Sequence, residues 1–167
     1  LVSAAIARPV AERIGKAELS AGANLLAAGV CVLLFFIRPE NVWVYVFFIA
    51  LCWLGLGMFS MVSWALITDV IDYSEIKNGV REDGSVYALY SFARKLGQAA
   101  AAGVSGFLLT LVGYTQETAF DTDVVNGIFN ISTLVPAIGF ALLAAILWFW
   151  YPLHKKQVDE NVAILKQ

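Results

Sequence analysis

Charged residues are scarce in this 167-residue chain: they make up 14% of it, where a soluble domain carries about a quarter. Apolar residues reach 60%, and the mean hydropathy is +0.75. A surface that must meet water cannot be built from such a composition, so a soluble globular domain is excluded and a bilayer is the expected medium. There is no basic excess either. Eleven Lys and Arg stand against thirteen Asp and Glu, for a net charge of -2, too little positive charge to neutralise a phosphate backbone, and a nucleic-acid partner is excluded. The only histidine, His154, lies at the edge of the last apolar run, and the two cysteines, Cys31 and Cys52, lie inside apolar runs. There the cysteines read as small apolar residues, and no metal site or nucleophile set of an enzyme is expected at membrane depth. Strict apolar/polar alternation is missing, which excludes a β-barrel. Nothing resembles a signal peptide or a low-complexity tract. The chain starts at Leu1 without Met, and residues 1–7 are too few to span a bilayer, so a piece of a longer protein is expected.

What is present is a set of long charge-free runs. One ionised side chain at mid-bilayer costs several kcal/mol, so these runs locate the spans. They predict an all-α membrane protein with four transmembrane helices, at 19–37, 42–68, 85–112 and 126–152, preceded at 1–7 by the end of a fifth. Between them lie loops at 8–18, 38–41, 69–84 and 113–125 and a tail at 153–167. Eight basic residues fall on one side of this arrangement, in 8–18, 69–84 and the tail; only Arg38 falls on the other, beside Glu117, Asp121 and Asp123. By the positive-inside rule the basic side is cytoplasmic. Pro136 and Gly139 are expected to permit a bend in the last span. Val158, Val162 and Leu165 recur at helical spacing, as in a short interfacial helix.

The two remaining basic residues, Arg94 and Lys95, sit about ten residues into the third span, roughly 15 Å deep at about 1.5 Å per residue. On a helical wheel Tyr87, Tyr90, Ser91, Arg94, Lys95 and Gln98 share one arc, opposite Ala88, Leu89, Phe92, Leu96 and Ala99. Cations at that depth require a protein interior or a watery cavity, with a carboxylate or a ligand as partner. The alternative is that both snorkel toward the interface, with Tyr87 and Tyr90 as interfacial anchors. Gly97, Ala101, Gly103, Ser105 and Gly106 suit close helix packing. No acidic residue of this chain lies at membrane depth. The counter-charge must therefore come from sequence outside these residues, from a partner or from a substrate.

Asp69, Asp72 and Glu75 recur every three residues, which on a continuing helix places them in neighbouring turns. A metal or acid–base site is one reading, and a charge network with basic residues of another segment is the other. The stretch Asp69-Val70-Ile71-Asp72-Tyr73-Ser74-Glu75, followed by Lys77, Arg81, Gly84-Ser85 and Lys95-Leu96-Gly97, resembles the signature around loop 10-11 and helix 11 of the glycoside-pentoside-hexuronide:cation symporters, the melibiose permease group of the major facilitator superfamily. Glu12-Arg13-Ile14-Gly15-Lys16 is similar to the superfamily's loop 8-9 motif, with Arg8 where its leading glycine stands.

The resemblance implies a twelve-helix bacterial inner-membrane transporter of which this chain is the end of helix 8 through helix 12, the amino-terminal half being the missing partner. It further implies symport of a sugar or glycoside with Na⁺, H⁺ or Li⁺, and no other cofactor. Lys95 matches the cavity lysine of helix 11 and Ser91 a sugar-facing hydroxyl. Asp69, Asp72, Glu75 and Arg81 match a cytoplasmic network that closes the cavity. Ser60 stands where the melibiose permease has a helix 10 tryptophan, with Trp64 one turn later, so its galactoside preference does not carry over. Arg94 has no charged counterpart there, which favours an anionic sugar such as a hexuronide. The candidate substrate positions are thus Lys95, Ser91, Arg94, Tyr87, Gln98, Trp64 and Ser60. Two competing readings are a structural or assembly subunit of the membrane and a family member with a non-sugar substrate.

Overall fold

The computed structural model describes residues 9–165; the expected helix end at 1–7 lies outside them. The described residues are helical, with no strand among them. Five helices follow one another: α1 (Lys16–Ile37), α2 (Val42–Asn78), α3 (Asp83–Leu111), α4 (Thr122–Ala145), which runs on as a π-turn over Ile146–Trp150, and α5 (Lys155–Leu165). A short helical segment at 9–14 precedes α1.

The stops are local and have identifiable causes. Gly15, at φ 108°, separates the 9–14 segment from α1. At the other end of α1, Arg38 adopts the left-handed conformation and donates its N–H to the Leu34 carbonyl, and Pro39 cannot continue the helix. The Asn41 side chain then caps α2 by accepting the Trp43 N–H at 2.9 Å. Gly79, at φ 73°, ends α2 by donating to the Glu75 carbonyl. Between Thr68 and Gly79 the chain has neither proline nor glycine, so α2 continues ten residues past the expected boundary and carries Asp69, Asp72 and Glu75 on helix rather than loop. The end of an apolar run is not the end of a helix. At about 1.5 Å per residue α2 measures about 55 Å, and about 30 Å of it suffices for the hydrocarbon core.

Three of these helices, α1, α2 and α4 with its π-turn, are long and apolar enough to cross a membrane. Four were expected. The fourth, α3, has the length at 29 residues but not the apolarity, because Arg94 and Lys95 interrupt it. α1 is the centre of the packing and lies between α2 and α4. Ala17, Leu19 and Ala21 of α1 meet Val62 and Leu66 of α2 and Leu147 of the π-turn in one buried cluster; Cys31, Cys52 and Ala137 form a second. The close approach depends on small residues: a Cβ added at Gly55 would stand 2.9 Å from the Ala23 carbonyl oxygen. Helices in lipid gain by such contact because apolar burial alone does not favour protein over lipid. The outer face is covered with large apolar side chains, among them Trp43, Trp53, Phe149 and Trp150, a surface that only lipid or more protein satisfies. By contrast, α3 buries no residue and touches only α2 closely.

Candidate functional site: a cationic helix face beside a charged network

α3 departs from α2 through an aromatic contact. The Trp64 ring lies 6.1 Å from the Tyr87 ring and 5.6 Å, edge-on, from that of Tyr90. These are ordinary aromatic-pair separations, and the two tyrosines one turn apart hold the indole between them. Trp64 keeps about half its surface open (49%). Farther along the same face of α3 come Ser91, Arg94, Lys95 and Gln98, all exposed. Among the described residues Arg94 and Lys95 form no ion pair. Trp64, Tyr87 and Tyr90 are thus brought together. Ser60, exposed on α2, is not joined to them by a hydrogen bond; its carbonyl accepts from Ser63.

At the end of α2 the charges meet. One Nη of Arg81 donates to Asp72 at 3.0 Å and Glu75 at 2.7 Å, and its Nε donates to Asp83 at 3.2 Å. The acceptors Glu75 and Asp72, one turn apart, together with Asp83 hold the guanidinium well above its ordinary pKa. Arg81 therefore links the end of α2 to the start of α3. Asp69 belongs to a different contact: it accepts from Lys16 of α1 at 2.5 Å and is itself buried. The row of three acids is therefore divided between a pair inside the bundle and a fork at its edge. Among the described residues no group of three His, Cys, Asp or Glu is placed to hold a metal.

Comparison with known proteins decides the lineage of this arrangement, since the family of MFS/sugar transport proteins matches residues 1–155. The chain belongs to that family. Among its curated relatives are a glucuronide carrier protein homolog of Escherichia coli, 35% identical over 97% of this chain, and a putative sulfoquinovose importer of Salmonella typhimurium, 32% identical over 100% of this chain. An uncharacterized symporter of Bacillus subtilis is 34% identical over 79% of it. These matches cover 35%, 36% and 29% of the relatives, so this MFS chain spans about a third of their length. No solved structure matches. The family and the apolar helices make this an integral protein of the bacterial inner membrane.

The basic end of this MFS chain holds contacts that sequence reading missed. Glu18 of α1 accepts from the Lys155 backbone N–H at 3.2 Å and stands 3.2 Å from His154 Nδ1, while Lys155 Nζ donates to the Glu12 carbonyl at 3.0 Å. The Tyr151 hydroxyl donates to the Leu66 carbonyl at 3.3 Å. The tail helix α5 is thereby fastened to the 9–14 segment and to α1. Its sequence signal was limited to helical spacing, because Glu18 and Lys155 are 137 positions apart. At the opposite end Arg38 donates to Asn130 at 2.6 Å and lies over the rings of Phe35 and Phe129, which joins the α1–α2 turn to α4.

Proposed function

We propose that this chain is the carboxyl-terminal portion of a cation-coupled symporter for an anionic sugar, with α1 to α4 as helices 9 to 12 of a twelve-helix transporter. The observation that carries the reading is the adjacent pair Arg94 and Lys95, two cations halfway along α3 that no carboxylate of the described residues balances. At membrane depth that charge needs an anion, and a substrate that brings one also completes the site. Two of the relatives are named for a glucuronide and for sulfoquinovose, sugars that bear a carboxylate and a sulfonate. In this reading Arg94 pairs with the acid group by a charge-assisted fork, Lys95 links substrate to coupling cation, Ser91 and Gln98 bond ring hydroxyls, and Trp64 between Tyr87 and Tyr90 offers an aromatic face.

Transport follows by alternating access. A midplane site opens to one side and then to the other as two halves rock, and coupling arises because sugar and cation together favour closure more than either alone. Na⁺, H⁺ and Li⁺ each fit the coupling role. Arg81 with Asp72 and Glu75 closes the cavity from the basic end.

The test is competition by uronides, sulfonated sugars and neutral glycosides in the full-length transporter, with each cation varied in turn. Arg94→Ala is expected to shift the preference for acidic over neutral sugars by about 10-fold or more, since a hydrogen bond to a charged group contributes about 1.5–3 kcal/mol. An unchanged ratio eliminates Arg94 as the reader of the anion.

A further inference from the structure

Cys31 and Cys52 lie on different helices, 21 positions apart, with their sulfurs in direct contact at 3.2 Å. The seam between α1 and α2 puts them there. Gly55 faces the Ala23 carbonyl and the Ala27 side chain; Cys31 follows Ala27 by four positions and Cys52 precedes Gly55 by three, so the same two faces continue one turn toward the Arg38 end. The Cys52 thiol donates its hydrogen to the Ala27 carbonyl at 3.7 Å. The two sulfurs are within hydrogen-bond distance of each other, and either thiol can donate across the contact.

Both thiols are buried, and a buried thiol in apolar surroundings is slow toward reagents that arrive from water. They border a cleft of about 400 Å³ lined also by Tyr45, Ile49, Trp53 and Phe140. Trp53 is largely exposed, so the cleft opens on the apolar outer face. A compact apolar oxidant dissolved in the membrane has a route that a water-borne one lacks.

We propose that Cys31 and Cys52 are a reversible redox pair, closed to a disulfide by a lipid-soluble two-electron oxidant of the quinone class, and that the bond fastens α1 to α2. Two S–H bonds break and one S–S bond forms. The two protons and two electrons pass to the quinone, which leaves as hydroquinone; a dithiol reductant reverses the step.

The probe is duroquinone, whose methylated ring resists thiol addition, applied to the full-length transporter in membranes. Remaining thiols are then alkylated under denaturing conditions and the peptides are mapped. The expected result is a joined Cys31–Cys52 peptide pair, two hydrogens lighter than the separate thiols, whose yield does not depend on protein concentration because closure is intramolecular. Dithiothreitol should restore both thiols to alkylation. Cys31→Ser and Cys52→Ser should each leave the other cysteine alkylatable; if either variant fails to insert, the wild-type map decides alone. Recovery of both thiols as alkylated peptides after duroquinone, or bonds found only between separate molecules, overturns the proposal.

Discussion

α1 and α3 are both long enough to cross a bilayer, at 22 and 29 residues, but they meet the rest of the chain in opposite ways. Nine residues of α1 are buried, and among them Ala17, Ala21, Ala27, Ala28 and Cys31 are small enough to let α2 and α4 approach closely. α3 has small residues too, at Gly97, Ala101, Gly103 and Gly106, yet buries none, and a Cβ at any of these three glycines meets nothing within 4 Å. Toward one end it is attached by the Trp64–tyrosine contact and the Arg81 fork; at the other, Val112, just past its last residue, lies against Gly127 of α4. Small residues permit packing; a partner surface is needed to realise it. The helix that packs forms a scaffold, and the helix left open is the one that carries the unpaired cations.

The sharpest way to break this contrast is at Lys95. In the full-length transporter Lys95→Ala should lower concentrative uptake on the order of 100-fold, the upper range for a lost hydrogen bond to a charged group, while membrane insertion stays normal. Near-normal concentrative uptake of radiolabelled sugar in vesicles would remove α3 from the site.

Next in size is a matched pair of glycine substitutions. Gly55→Leu forces side-chain atoms toward the Ala23 backbone, which cannot yield as a flexible side chain would, and should cost about 1–3 kcal/mol. Gly97→Leu should cost less, within about 0.5 kcal/mol for a site without neighbours. Thermal unfolding of the two variants in detergent measures both. An equal loss at Gly97 would reveal that another part of the transporter packs on that face of α3.

The smallest expected effect separates the two aspartates of α2. Asp72→Asn loosens an exposed fork and should slow transport, by no more than about fivefold, while equilibrium sugar binding is hardly changed. Equal losses in rate and binding would contradict a closing role for the fork. Asp69→Asn acts inside the bundle, on the Lys16 pair, and should show first as lowered thermal stability.

Much of the helical arrangement was legible because its causes are local. Arg38-Pro39 and Asn41 mark a stop and a start, and Gly79 marks the end of α2 for a reader who asks where a left-handed residue fits. Counting charges instead put that end at Thr68, since it detects the edge of the apolar stretch and not of the hydrogen-bond ladder. The polar arc of α3 was legible from helical spacing, and the Tyr87 and Tyr90 rings do share the face that meets Trp64. The roles of Ser60 and Ser91 rest on resemblance, and that of Gln98 on its place in the helical arc.

By itself, the sequence determined the medium, the helices and the cationic face of α3, because hydropathy, capping and periodicity act over a few turns. Only the tertiary structure decided which charges and thiols meet. Asp69 took Lys16 rather than Arg81, Glu18 took the start of α5, and Cys31 came against Cys52. Partners 53, 137 and 21 positions apart leave no local pattern, because what joins them is the way α1 seats between α2 and α4.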